Sequence, residues 1–392
     1  MLEGRDDMGL LRQFYRRVRP SVATATRRAL GPRIVTRTRL LDDSPGGYTV
    51  YPFGTDERYE FERPRHVDDL PGVIESKVGE CTVPAPFVVE IEDATMIGPS
   101  ALVVVNGCVL LESALGGYER LVDASVRALL AGQLPFETRF QRSETRFGDP
   151  LFSLVGPWST EYYHWLTDYL VQVFALEAYQ ERTGTDPTVL IPVDPPDWLR
   201  DSLSFAGIDP DRTAEWSGGR ARCSRLAVGS LRRHTASTGD GYIHSPAAMA
   251  RLGDRIRNTV PEADTDGRSR RLYVSRADAQ DRRVRNEDEL LAALEDYGFE
   301  RIVPGEHSFA EQVRRFSDAE VILGPHGAGL TNTIFAPETT LVELFGSYRN
   351  ACFFVLARGV GHGYASVTCR PAGSDLVANV SEIEDFVRDQ FD

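Results

Sequence analysis

The stretch Val321-Ile322-Leu323-Gly324-Pro325-His326-Gly327-Ala328-Gly329-Leu330-Thr331-Asn332 constrains this chain most. The apolar run from Glu320 to Leu323 reads as a buried strand. Gly324, Gly327 and Gly329 then let the backbone turn sharply and come close to a ligand. A helix over about Ala328 to Phe335 is expected next, its unbonded N–H groups and positive dipole end aimed back at the turn. Strand, glycine turn and helix in succession call for an α/β layout, and such a junction suits a phosphate. The glycines alone fit a tight turn in any α/β protein equally well. His326 favours the ligand reading, because open α/β sheets bind ligands at the carboxyl ends of their strands.

The 392 residues suffice for two domains of ordinary size, and a hydrophobic share of 42% with 26% charged residues is globular. A net charge of −14 argues against general nucleic-acid binding. Lys77 is the only lysine, so the positive charge is nearly all arginine. Abundant acids and arginines with almost no lysine fit a halophilic protein, and a GC-rich genome explains the arginines as well. Five widely spaced cysteines (Cys81, Cys108, Cys223, Cys352, Cys369) form no C-x-x-C pair. Neither a disulfide framework nor a zinc site is expected, and the chain reads as cytoplasmic. No apolar run is long enough to span a membrane, and no signal peptide is expected at the start.

Residues 1–40 stand apart, with ten arginines from Arg5 to Arg39 in an otherwise acidic chain. Such a basic amphipathic segment suits peripheral contact with the inner face of an anionic membrane, and it equally suits a solvated arm. From 47 to 115 the signals are mostly β. Asn106-Gly107 marks a hairpin between Val105 and Cys108, and a small antiparallel layer is expected. A helix is expected from Glu161 to Tyr179. His164 and Asp168 lie four residues apart near its start and so share one face. A carboxylate there can orient an imidazole as a general base, or it can simply pair with it.

Strand and helix signals then alternate. Thr188 to Ile191 and Leu226 to Val228 read as strands, Asp197 to Ala206 and Pro246 to Asn258 as helices, with Ser245 as a cap. Residues 259–269 are polar, acidic and aperiodic, which places a domain boundary there. After it a regular series follows: strands at 271–276, 299–303, 320–323, 340–344 and 365–367, with helices between them. No G-x-G-x-x-G follows the first of these strands, so a dinucleotide fingerprint is absent.

The carboxyl ends of these strands carry Arg276, Arg282, Arg283, His326 and Glu343. Arginines and a helix start neutralise phosphates, and a carboxylate can accept two ribose hydroxyls. No D-x-D sequence stands where a nucleotide-sugar metal site is expected, which favours catalysis without a metal or cofactor.

Three blocks resemble glycosyltransferase family 61, often labelled as capsular polysaccharide biosynthesis proteins. They are Gly324 to Asn332 with Phe335-Ala336-Pro337 and Val342-Glu343-Leu344-Phe345; Tyr273-Val274-Ser275-Arg276 with Arg282-Arg283 and Asn286 to Leu290; and Tyr162-Tyr163-His164-Trp165-Leu166-Thr167-Asp168. The resemblance implies an α/β, GT-B-like fold: two Rossmann-like domains facing across a cleft, with an N-terminal β-rich addition. The expected divisions are a basic arm at 1–45, an acceptor domain at 46–262 and a nucleotide-sugar domain at 263–392. It implies inverting transfer from a nucleotide sugar, usually a UDP-sugar, to a glycan, lipid-linked or protein acceptor. His164 and Asp168 would then be catalytic. Arg276, Arg282, Arg283, Asn286, His326, Gly327, Ala328, Gly329, Asn332 and Glu343 would bind the donor. An epimerase, a pyruvyl transferase or a non-catalytic glycan-binding scaffold on the same layout are the other readings.

Overall fold

A computed structural model describes residues 18–42, 47–66, 70–133, 145–231, 233–235, 242–261 and 270–391. The first part of the basic arm and most of the acidic stretch at 259–269 lie outside these residues. The chain divides into two compact units, and neither is continuous in sequence. The first takes residues up to Gly54 with Pro86–Pro195 and Asp209–Leu231; the second takes Thr55–Ala85, Pro196–Ile208 and Arg232–Asp392. The block expected at 46–262 is therefore shared between two cores. Local patterns mark where elements stop, whereas packing decides which core each element joins.

The first unit is built on one ten-stranded sheet. Its main path runs Ile34–Val35, Cys108–Leu110, Leu102–Val105, Phe87–Ile97, Arg220–Gly229, Leu151–Ser153, Thr188–Pro192, Thr213–Trp216. Asn106 and Gly107 take φ of 49° and 73°, the left-handed pair that a two-residue hairpin turn requires. The β-rich region is not a separate layer. Arg220–Gly229 pairs antiparallel with Phe87–Ile97 and parallel with Leu151–Ser153, so antiparallel and parallel halves form one surface. Phe87, Ile91, Met96, Leu151, Leu190 and Leu226 are buried together along it.

The second unit contains a six-stranded sheet in the order Phe299–Ile302, Arg271–Val274, Val321–Pro325, Thr340–Phe345, Gly363–Thr368, Arg65–His66. Every pairing in it is parallel. The five strands from the carboxyl half follow the flavodoxin-like order 2-1-3-4-5. The order reverses between Arg271–Val274 and Val321–Pro325, and a crevice opens beyond the carboxyl ends of the strands at such a switch point. One face buries Tyr273, Leu323, Val342 and Leu344 against Leu290, Leu294, Ile383 and Val387. Ser308 caps the helix Phe309–Ser317 by accepting from the N–H of Glu311 at 3.2 Å, as its sequence position suggests. Ser245 likewise caps Pro246–Thr259.

Two helical expectations change. Residues Ala328–Phe335 form a 3-10 helix rather than an α-helix, and Leu330 through Phe335 are all buried. Thr331, Thr333 and Ile334 are β-branched, which weakens α preference. Helix Pro246–Thr259 also crosses so closely that a Cβ on Gly253 would lie 2.0 Å from the carbonyl oxygen of Ile334. The segment from 161 to 179 is an α turn at Tyr162–His164, a π-helical turn at Trp165–Tyr169, a 3-10 turn at Leu170–Gln172 and then α-helix Val173–Thr183. Single π turns inside helices recur at functional sites.

Candidate active site

In the second unit the switch point gathers a cationic cluster. The chain leaves the Arg271–Val274 strand through Ser275 to Arg276. The Arg276 guanidinium packs onto the backbone of Gly327, where a Cβ would approach its Nη1 to 2.1 Å. Gly327 itself is extended, with φ of −175°, so it is required for space and not for a left-handed turn. A Cβ on Gly324 would likewise lie 2.7 Å from the carbonyl oxygen of Val274. These glycines thus bring neighbouring segments of the chain together.

Arg276 and Arg282 share one carboxylate. Each lies 3.2 Å from Asp281 Oδ1. Burial and the Arg282 charge lower the Arg276 pKa from the usual arginine value, while Asp281 and Asp278 oppose this. An anion near the pair would relieve their repulsion. Arg282 is held at φ of 59°, an uncommon backbone state for a non-glycine residue. Its guanidinium lies 5.1 Å from the Tyr348 ring centroid. That ring in turn sits 5.1 Å from the imidazole of His326. Tyr348 is 49% exposed and was not singled out from the sequence, where no motif marks it.

His326 is buried beside Phe345 and Phe353. Its Nδ1 is hydrogen-bonded to Glu343 Oε1. The other carboxylate oxygen of Glu343 accepts from the Tyr364 hydroxyl at 2.6 Å. Glu343 is fully buried, so both oxygens serve the protein and neither is offered to ribose hydroxyls. Burial and the adjacent Glu343 push the Tyr364 hydroxyl well above its ordinary pKa, so it remains a donor. Glu343 and Tyr364 therefore orient His326 from behind.

Other expected donor residues are engaged elsewhere. Arg283 donates its backbone N–H and its guanidinium to Asp375, which Arg285 also contacts. The backbone bond from Arg283, aided by both guanidiniums, holds the Asp375 carboxyl below its usual range. Asn286 donates to Glu289 and the Ala378 carbonyl and accepts from the Ala378 N–H. Asn332 is buried and donates to Gln312 Oε1 at 2.8 Å. Ala328 and Gly329 begin the 3-10 helix, and a Cβ on Gly329 would meet Pro304 at 2.9 Å.

The first unit holds the other candidate pair. His164 Nδ1 lies 2.8 Å from Asp168 Oδ2, one helical turn away as the spacing suggests. The Asp168 side chain is 1% exposed and that of His164 is 16% exposed, so the ring is the accessible partner. Trp158 stacks on His164 with ring centroids 4.7 Å apart. Arg120 lies over the Trp158 ring at 4.1 Å, within cation–π range. The preceding loop is pinned by Tyr169, whose hydroxyl donates to the Pro157 carbonyl at 2.7 Å. Trp158 and Arg120 escaped the sequence reading because only packing connects them to His164. Among the described residues no three His, Cys, Asp or Glu side chains gather as a metal-binding group. No helix among them is long and apolar enough to cross a membrane.

A parallel sheet with arginines and an oriented histidine at its switch point defines a class of α/β proteins suited to anionic ligands. Residues 162–342 match the family model described as Glycosyltransferase 61. The chain is similar to the "EGF domain-specific O-linked N-acetylglucosamine transferase" of Mus musculus, 34% identical over 113 residues, covering 27% of this chain and 21% of the relative. The Drosophila melanogaster protein of the same name is 34% identical over 112 residues, covering 28% and 21%. The "Protein O-linked-mannose beta-1,4-N-acetylglucosaminyltransferase 2" of Pan troglodytes is 40% identical over 70 residues, covering 17% and 12%. The matched part of this chain spans about a fifth or less of these curated relatives.

Proposed function

We propose that this chain is a glycosyltransferase that moves a sugar from a nucleotide sugar, with UDP as the expected nucleotide, to a hydroxyl of a glycan, lipid-linked or protein acceptor. In this reading the second unit binds the donor. Arg276, which the missing Cβ of Gly327 lets pack against the glycine turn, meets the diphosphate together with Arg282. The oriented His326 stabilises the negative charge that develops on the leaving nucleotide. His164 or Asp168 in the first unit removes the proton of the acceptor hydroxyl, which attacks with inversion at the sugar carbon. The two units would then divide the work as in a GT-B enzyme. The sugar carbon exchanges one C–O bond for another, and nucleotide diphosphate leaves.

The observation that carries the reading is the Arg276–Gly327–His326 contact region at the switch point, lying inside the segment that matches the family. The names of the similar proteins support glycosyl transfer and make N-acetylglucosamine the first donor sugar to try. A thermal-shift screen of nucleotide diphosphates, followed by a UDP-release assay, tests it. UDP should stabilise the protein with the logarithm of its concentration over Kd, and Arg276→Ala should shrink that stabilisation at equal UDP. Equal stabilisation of wild type and variant would remove the donor assignment.

A further inference from the structure

The first unit contains a cavity of about 400 Å³. Its wall includes Gly156, just past the strand Leu151–Ser153; Pro192, which ends Thr188–Pro192; and Trp216, which ends Thr213–Trp216. These strands are parallel neighbours. The cavity therefore lies at strand carboxyl ends, where open α/β sheets take ligands. Trp158, also in the wall, stacks on His164. Its φ of 63° is a strained state for an aromatic residue, and such strain concentrates at functional sites.

The lining chemistry is selective. Ser159, Thr160 and Ser217 bring hydroxyls beside two tryptophan rings, a mixture suited to a polyhydroxylated ring with apolar C–H faces. No Asp or Glu is among the described lining residues, although the chain carries 58 acids and a net charge of −14. Arg127 is the one cationic lining residue among them, and it is exposed. No described carboxylate pairs with its guanidinium. The volume, about a dozen water shares at ~30 Å³ each, is ample for one sugar ring.

We infer that this cavity binds an acidic glycosyl unit of the acceptor, its carboxylate meeting Arg127 and its ring lying against the tryptophan edges. The inference rests on the glycosyltransferase reading for the word acceptor, but the binding itself does not need turnover. Trp158 then couples acceptor occupancy to His164, since one ring borders both.

Calorimetric titration of the full chain with methyl glucuronide, methyl glucoside and inorganic phosphate tests this. Wild type, Arg127→Ala and Thr160→Phe are compared; both substituted residues are exposed, so folding is preserved. Glucuronide should bind at millimolar affinity or tighter, and more tightly than glucoside. Arg127→Ala should weaken glucuronide by about tenfold, the loss of one charge-assisted hydrogen bond, and bring it level with glucoside. Thr160→Phe should weaken both sugars by narrowing the mouth, while UDP affinity stays unchanged in both variants. Absence of saccharide binding, indifference to Arg127→Ala, or phosphate binding as tightly as glucuronide would each overturn the inference. If UDP binds and glucuronide does not, the cavity assignment fails alone. If glucuronide binds and UDP does not, the donor reading fails and the cavity stands.

Discussion

Each unit holds a histidine whose Nδ1 faces a buried carboxylate, yet the two pairs are built differently. His164 and Asp168 are four residues apart on one helical segment. His326 and Glu343 are seventeen apart and meet only because Val321–Pro325 and Thr340–Phe345 are paired strands, in register with Gly324 opposite Glu343. The His164 side chain is 16% exposed and stacked beneath a tryptophan, whereas that of His326 is 6% exposed and ringed by aromatics. Glu343 is also tied by Tyr364, a further anchor in the second pair. An accessible, locally oriented imidazole suits proton transfer with a substrate. An enclosed one, next in sequence to the glycine that Arg276 packs on, suits charge stabilisation. In the proposed function, burial and neighbours would make an imidazole–carboxylate pair serve two different ends.

The largest expected effect tests that division. Asp168→Asn and His164→Ala should each lower turnover by about 10²- to 10⁴-fold in a UDP-release assay, with UDP affinity unchanged. If UDP affinity fell in step with turnover, the two pairs would share one task and the contrast would collapse. Next, His326→Ala and Arg276→Ala should each weaken UDP by about ten- to a hundredfold in calorimetry, the loss of a charge-assisted contact. Neither should alter binding of saccharides by the first unit.

Tyr364→Phe should leave one oxygen of the buried Glu343 unpaired. It should cost about 1–3 kcal/mol in chemical denaturation, with a smaller loss of UDP affinity. An unchanged denaturation midpoint would show that the second pair needs no anchor. The mildest test uses a third histidine as a contrast. His362 is buried without a carboxylate partner, and burial, with a smaller contribution from Arg257, pushes its pKa from 6.5 down to about 4. Burial makes the folded state favour its neutral form. The stability it contributes is whole above the unfolded value and is lost as pH falls from 6.5 toward 4. His362→Gln should therefore shrink the stability loss between about pH 7 and about pH 5 by roughly 1–2 kcal/mol, read from denaturant midpoints. An undiminished loss would assign that acid sensitivity to other groups.

What could be read from the chain alone is whatever depends on near neighbours in sequence. The Asn106-Gly107 turn, the caps at Ser245 and Ser308, the alternation of strands and helices after 270, and the His164–Asp168 spacing all follow from local geometry. Each needs only a few adjacent residues to agree. The tertiary structure alone decided that residues 55–85 and 196–208 join the second unit, and that the β-rich region continues a mixed sheet. It also decided that Arg283, Asn286 and Asn332 are engaged with Asp375, Ala378 and Gln312, although all three belonged to suggestive sequence blocks. Glu343 turned inward to His326 for the same reason, and Tyr348 and Trp158 acquired their neighbours from it. A side chain's partner across a strand pair or helix crossing depends on register and close approach, which no short window of sequence contains. The glycine stretch at 324–329 shows both sides. Its composition announced a tight junction, but only packing revealed that the missing Cβ atoms make room for Val274, Arg276 and Pro304.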